Sequence, residues 1–153
     1  MAKFIYRMQN ILNIKYKLEE QAKNEFMLAN RILQEEEDKK TRLLMRKSDY
    51  QNRAKRLLSQ KLDLFKIMEN KEAILRMDEF IKEQDVVIER ARKNREEKAE
   101  ILAELRQERK AQEKLREKAF ENFIQEENSK ESKEIDELVS FTYGKKRKKD
   151  SRG

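Results

Sequence analysis

The side chains that most often do chemistry at neutral pH are missing from this sequence. Its 153 residues include no histidine and no cysteine. That removes the commonest general base, the most nucleophilic thiol and the usual zinc ligands. The densest group of carboxylates is Glu35-Glu36-Glu37-Asp38. It reads as a solvated helix face, since general acid catalysis by a carboxyl pair needs a cleft that raises one pKa. Gly144-Lys145 lacks the first glycine of a phosphate-binding loop. The run Lys145-Lys146-Arg147-Lys148-Lys149 could meet an anionic surface, yet no aromatic residue is interleaved and no recognition fold accompanies it. The expectation is a binding component and not an enzyme, with no cofactor, no metal and no small-molecule substrate, and with nucleic-acid binding through the tail only as an alternative.

The elements that would carry any binding face are helices. Charged residues make up 45% of the chain and apolar ones 37%, and proline is absent. The two glycines are Gly144 and Gly153, so the first 143 residues contain neither strong helix breaker. The remainder is dominated by Glu, Lys, Arg, Gln, Leu and Ala, which lose little side-chain freedom in a helix. No apolar run of about 18 residues occurs, so no membrane span is expected. Met1-Ala2-Lys3-Phe4 lacks the apolar core of a secretory signal. The absence of cysteine fits a reducing, cytoplasmic setting. The net charge of +7 is uneven: residues 145–153 hold six Lys/Arg and one Asp, leaving a mixed-charge body and a basic tail.

Apolar spacing predicts two arms. In the first, Phe4, Met8, Ile11, Lys15, Leu18, Ala22, Glu25, Ala29 and Ile32 alternate steps of four and three, as the a and d positions of a heptad do. After a polar stretch, Gln34 to Arg42, the pattern resumes, with one phase slip, through Leu43, Tyr50, Ala54, Leu57, Leu64 and Met68. In the second, Ile74, Met77, Ile81, Gln84, Ile88, Ala91, Arg95, Lys98, Leu102 and Leu105 keep the same alternation. Acid-before-base pairs four apart, such as Glu19 and Lys23, support helix on both arms. Stripes this narrow need a partner. The expected architecture is all-α, a long antiparallel two-helix coiled-coil hairpin over 1–143, with arm one at about 4–60, a corner at about 59–72, arm two at about 72–140, and a disordered basic tail over 144–153. One continuous helix dimerising with a second chain is the alternative.

Ser59 and Asn70 are the expected break residues, because both compete with helix through side-chain hydrogen bonds. A fold there sets Phe4, Met8 and Ile11 against Ile135, Leu138 and Val139. It also gathers Phe4, Tyr6, Phe141 and Tyr143 into an aromatic plug. Tyr50, Leu57, Phe65, Ile74 and Phe80 form a second apolar concentration near the corner, where any exposed surplus would be a docking patch.

Several segments resemble one family. Phe4-Ile5-Tyr6-Arg7-Met8-Gln9-Asn10-Ile11-Leu12 resembles the opening of the FliJ-type flagellar export proteins. Asp49-Tyr50-Gln51 and Ile81-Lys82-Glu83-Gln84 resemble its middle, and Glu134-Ile135-Asp136-Glu137-Leu138 its ending. The resemblance implies a cytoplasmic component of the type III export apparatus, built as a stalk-like hairpin. It implies partners: the hexameric flagellar export ATPase, whose assembly and activity it promotes, the cytoplasmic domain of the export gate, and export chaperones. It implies indirect membrane association through that gate, at the flagellar base. By the same analogy Phe4, Arg7, Met8, Leu12, Ile135, Leu138 and Phe141 lie at the ATPase end. Tyr50, Ile74 and Ile81 are then the candidates for gate or chaperone contact. Two rival functions are a coiled-coil spacer and a basic coiled coil that binds nucleic acid through its tail.

Overall fold

A computed structural model describes residues 2–152, and the side chains of residues 2–145. It is an all-α helical hairpin of two helices, α1 (Gln9–Ser59) and α2 (Leu64–Arg152). Residues 60–63 join them. Two compact units divide the chain, one of Leu18–Leu105 and the other of Met1–Lys17 with Arg106–Gly153.

The turn is made without glycine or proline. The Ser59 hydroxyl donates to the carbonyl of Arg56, closing α1 with a side-chain bond. Asp63 then caps α2: its Oδ1 accepts the Lys66 amide, 3.3 Å away, and its carbonyl accepts the Ile67 amide. An aspartate in this position satisfies one of the orphan amides of the first turn. Ser59 therefore ends a helix as expected, but Asn70 does not. It lies inside α2, buried in the seam, and its Nδ2 donates to the Tyr50 carbonyl across the hairpin.

In the unit Leu18–Leu105 the second arm follows its sequence pattern. Every position from Ile74 to Leu105 in the string given above is buried or half-buried, with Met77, Ile88 and Leu102 innermost. The first arm is rotated from expectation only over residues 18–36; Leu43, Tyr50, Ala54 and Leu57 lie in the seam as expected. Its seam runs through Glu19, Ala22, Phe26, Ala29, Leu33, Glu36, Lys40, Leu43, Lys47, Tyr50, Ala54 and Leu57. Leu18 and Ile32 remain exposed. Over residues 18–36 both frames share Ala22 and Ala29, but the one adopted turns Phe26 and Leu33 inward where the other would turn in Glu25 and Ile32. Burial of the larger apolar pair favours it.

Cross-helix ion pairs flank the seam. Lys47 meets Asp78 at 2.6 Å, Lys40 meets Asp85 at 2.7 Å, and Lys98 meets Glu25 at 3.5 Å. Gln84 donates to both the carbonyl and the carboxylate of Glu36, at 2.8 and 2.6 Å. That bond, and then Lys39, hold the Glu36 carboxyl below its ordinary pKa. Exposed ion pairs add little energy, but polar groups fixed opposite each other in a seam specify register.

Candidate functional site

The second unit carries both chain ends. The chain enters it as a non-helical segment, residues 2–8, and not as helix from Phe4. The Gln9 amide donates to the Tyr6 carbonyl and the Leu12 amide to that of Met8, which starts α1. Freed from the helix, the Phe4 ring reaches α2. It packs edge-on against Phe120, with centroids 5.1 Å apart, and tilted against Phe123 at 5.4 Å. The Arg116 guanidinium stands 5.6 Å from the same ring, and its Nε donates to Gln9 Oε1. Tyr6 donates to Gln112 Oε1 at 3.2 Å, and Lys15 pairs with Glu108 at 2.8 Å. Tyr16 donates to Glu113, which raises the phenol pKa, with desolvation adding to the effect. Leu12 sits beneath, only 2% exposed.

This register overturns two expectations. Phe4 meets Phe120 and Phe123, and not Phe141 and Tyr143. Phe4, Met8 and Ile11 do not face Ile135, Leu138 and Val139. Every residue from Asn128 to Lys145 is exposed. Ile135, Leu138 and Phe141 are 59%, 65% and 64% exposed. Within that stretch Thr142 donates to the Leu138 carbonyl, and the Lys145 ammonium stands over the Phe141 ring at 5.1 Å.

Of the residues assigned to the ATPase end, Arg7 and Met8 are at the surface, Phe4 is half-buried, and Leu12 belongs to the seam. Ile135, Leu138 and Phe141 lie on the free part of α2 and are not brought to Phe4. Residues 144–152, expected as a tail, continue α2; the side chains of 146–153 lie outside the described residues.

Near the turn, in the unit Leu18–Leu105, Tyr50, Ile74 and Ile81 are half-buried seam positions. The exposed apolar surface beside them is supplied by Leu58, Leu62, Leu64, Phe65, Met68 and Leu75. Leu64 and Met68, expected to continue the first arm's stripe, belong instead to α2 and are exposed; Phe65 belongs to the apolar concentration expected there, and Leu58, Leu62 and Leu75 lie off both strings. An open recess of about 420 Å³ is lined by Tyr50, Arg53, Leu57, Lys66, Glu69, Asn70, Ala73 and Arg76.

Among the described residues no group of carboxylates is placed to hold a metal ion, and no helix is long and apolar enough to cross a membrane. In the run Glu35–Asp38, Glu36 is engaged by Gln84 and Lys39, and Asp38 accepts from Gln34. Exposed apolar side chains gather at the turn and along residues 135–143 of α2.

Residues 4–148 match the family model described as "Flagellar FliJ protein". No curated protein and no solved structure matches the chain.

Proposed function

The chain belongs to the flagellar FliJ family, a family of export-related proteins, and on that premise we propose that it is a cytoplasmic, stalk-like component of the flagellar type III export apparatus. It binds the hexameric export ATPase, promotes its assembly and hydrolysis, and links it to the export gate and to export chaperones. The observation that carries this reading is the stretch Asn128–Lys145, helical and exposed throughout, with Ile135, Leu138 and Phe141 on its surface. A helix presenting apolar anchors without an intramolecular partner is suited to a groove in another protein. Arg7 and Met8 extend that end, while Phe4 and Leu12 hold the entering chain against α2.

The gate or a chaperone takes the turn. Tyr50, Ile74 and Ile81 set the helix pair there, and Phe65 and Leu75 beside them provide contact area. Association with the membrane is indirect, through the gate at the flagellar base.

The test is capture of the export ATPase on the immobilised chain, with hydrolysis measured alongside. Binding and stimulation at substoichiometric ratios are expected. Leu138→Asp should lose both, whereas Glu36→Ala should keep both. Absence of binding and stimulation overturns the reading. A salt-sensitive affinity for RNA or DNA, lost on removing residues 145–153, would favour the nucleic-acid alternative.

A further inference from the structure

The same stretch of α2 has a second property, visible in its charges. Ile135, Leu138, Val139 and Thr142 are spaced i, i+3, i+4 and i+7 and share one helix face. Running into the start of the patch, residues 126–137 carry six carboxylates and two lysines; just after it, residues 145–152 carry six Lys/Arg and one Asp. The apolar patch therefore lies between an acidic and a basic segment of one helix. Such a helix is complementary to itself in one direction only. Laid antiparallel about Val139, two copies set each acidic segment against the other's basic segment, with Leu138 near Ser140 and Ile135 near Tyr143. Laid parallel, they set acid on acid and base on base.

We infer that the C-terminal part of α2 pairs antiparallel with the same part of a second copy of this chain, forming a weak homodimer centred on Val139. A lone helix of this length is marginal in water and gains by covering its apolar face. The contact surface is small, which makes the dimer transient. Its ionic flanks make it sensitive to salt. The inference does not depend on the export reading. Where both hold, self-pairing and ATPase binding compete for one face.

The test is sedimentation velocity of the full chain alone, in low salt, from about 5 to about 200 µM, a range that brackets a micromolar dissociation constant. The mass should rise from one chain to two. Leu138→Asp should raise the dissociation constant by at least about tenfold, and added salt should raise it several-fold. Reversal of the acidic segment (E131K, E134K and E137K together) should leave a monomer. Adding K145E, K148E and K149E to that variant should restore the dimer. Circular dichroism checks that each variant keeps its helix. A one-chain mass across the range overturns the inference. So does a dimer that survives the acidic reversal, or a reversal that the compensating changes fail to rescue.

Discussion

Replacing Leu12 by alanine, compared with the same change at its neighbour Ile11, discriminates between the two possible faces of α1. Leu12 is 2% exposed and Ile11 is 39% exposed. Truncating a buried leucine removes three carbons at about 0.8 kcal/mol each, and the cavity left behind brings the loss to about 3 kcal/mol. A two-helix seam can close partly over the gap, which keeps the cost toward the lower part of the range for such changes. Ile11 is already half in water, so the same reckoning gives about half the transfer loss, and alanine's helix preference returns about 0.4 kcal/mol. The net cost at Ile11 is below about 1 kcal/mol. The assay is urea unfolding followed by helical circular dichroism. A difference of about 2 kcal/mol between the variants separates their midpoints by about 1 M. If Ile11→Ala destabilises as much as Leu12→Ala, the seam there runs through the other frame, and the packing described for the unit that holds both chain ends is wrong.

Other expectations follow from the seam and its polar layers. Asn70→Leu should raise the midpoint, because the Asn70 Oδ1 is buried without a partner, but should loosen register near the turn. Cysteines placed at Lys47 and Asp78 in this cysteine-free chain should then cross-link less selectively than in the parent. Glu36 has a lowered folded pKa, so its stabilising contribution is present above the ordinary carboxylate pKa and is lost as pH falls through the folded value. Glu36→Gln should flatten that part of the stability–pH curve, and unchanged acid sensitivity would contradict it. Tyr16 has a raised pKa, so its contribution holds below the ordinary phenol value of 10.0 and is lost as pH rises through the folded value. Tyr16→Phe should remove that alkaline loss, measured by the same urea titrations.

The second arm was legible residue by residue because its string keeps the alternation of threes and fours without a slip from Ile74 to Leu105, although Phe80, Val87 and Ile101 stand one position before Ile81, Ile88 and Leu102. The first arm's string is interrupted by Lys15 and Glu25 and has a neighbouring apolar set, since Ile11 stands beside Leu12, Glu25 beside Phe26 and Ile32 beside Leu33. Which set turns inward depends on what α2 presents, a non-local fact that spacing in one arm does not contain. The turn left a local signal that was passed over. Asp63 directly before Leu64-Phe65 is an N-cap followed by an apolar run, whereas Asn70 looked like a breaker and instead fixes the seam. Within the unit that holds both chain ends, the non-helical entry at residues 2–8 lets Phe4 meet Phe120 and Phe123, a contact that heptad spacing from Phe4 does not contain.

Amide hydrogen exchange on the full chain, alone and with the hexameric export ATPase, tests most directly whether the exposed stretch of α2 is the docking element. At concentrations below self-pairing, amides of residues 128–143 should exchange fast while those of residues 74–105 are protected. Added ATPase should slow exchange at 128–143. Slow exchange there in the free monomer, or protection by the ATPase confined to the turn at residues 57–68, would contradict the assignment.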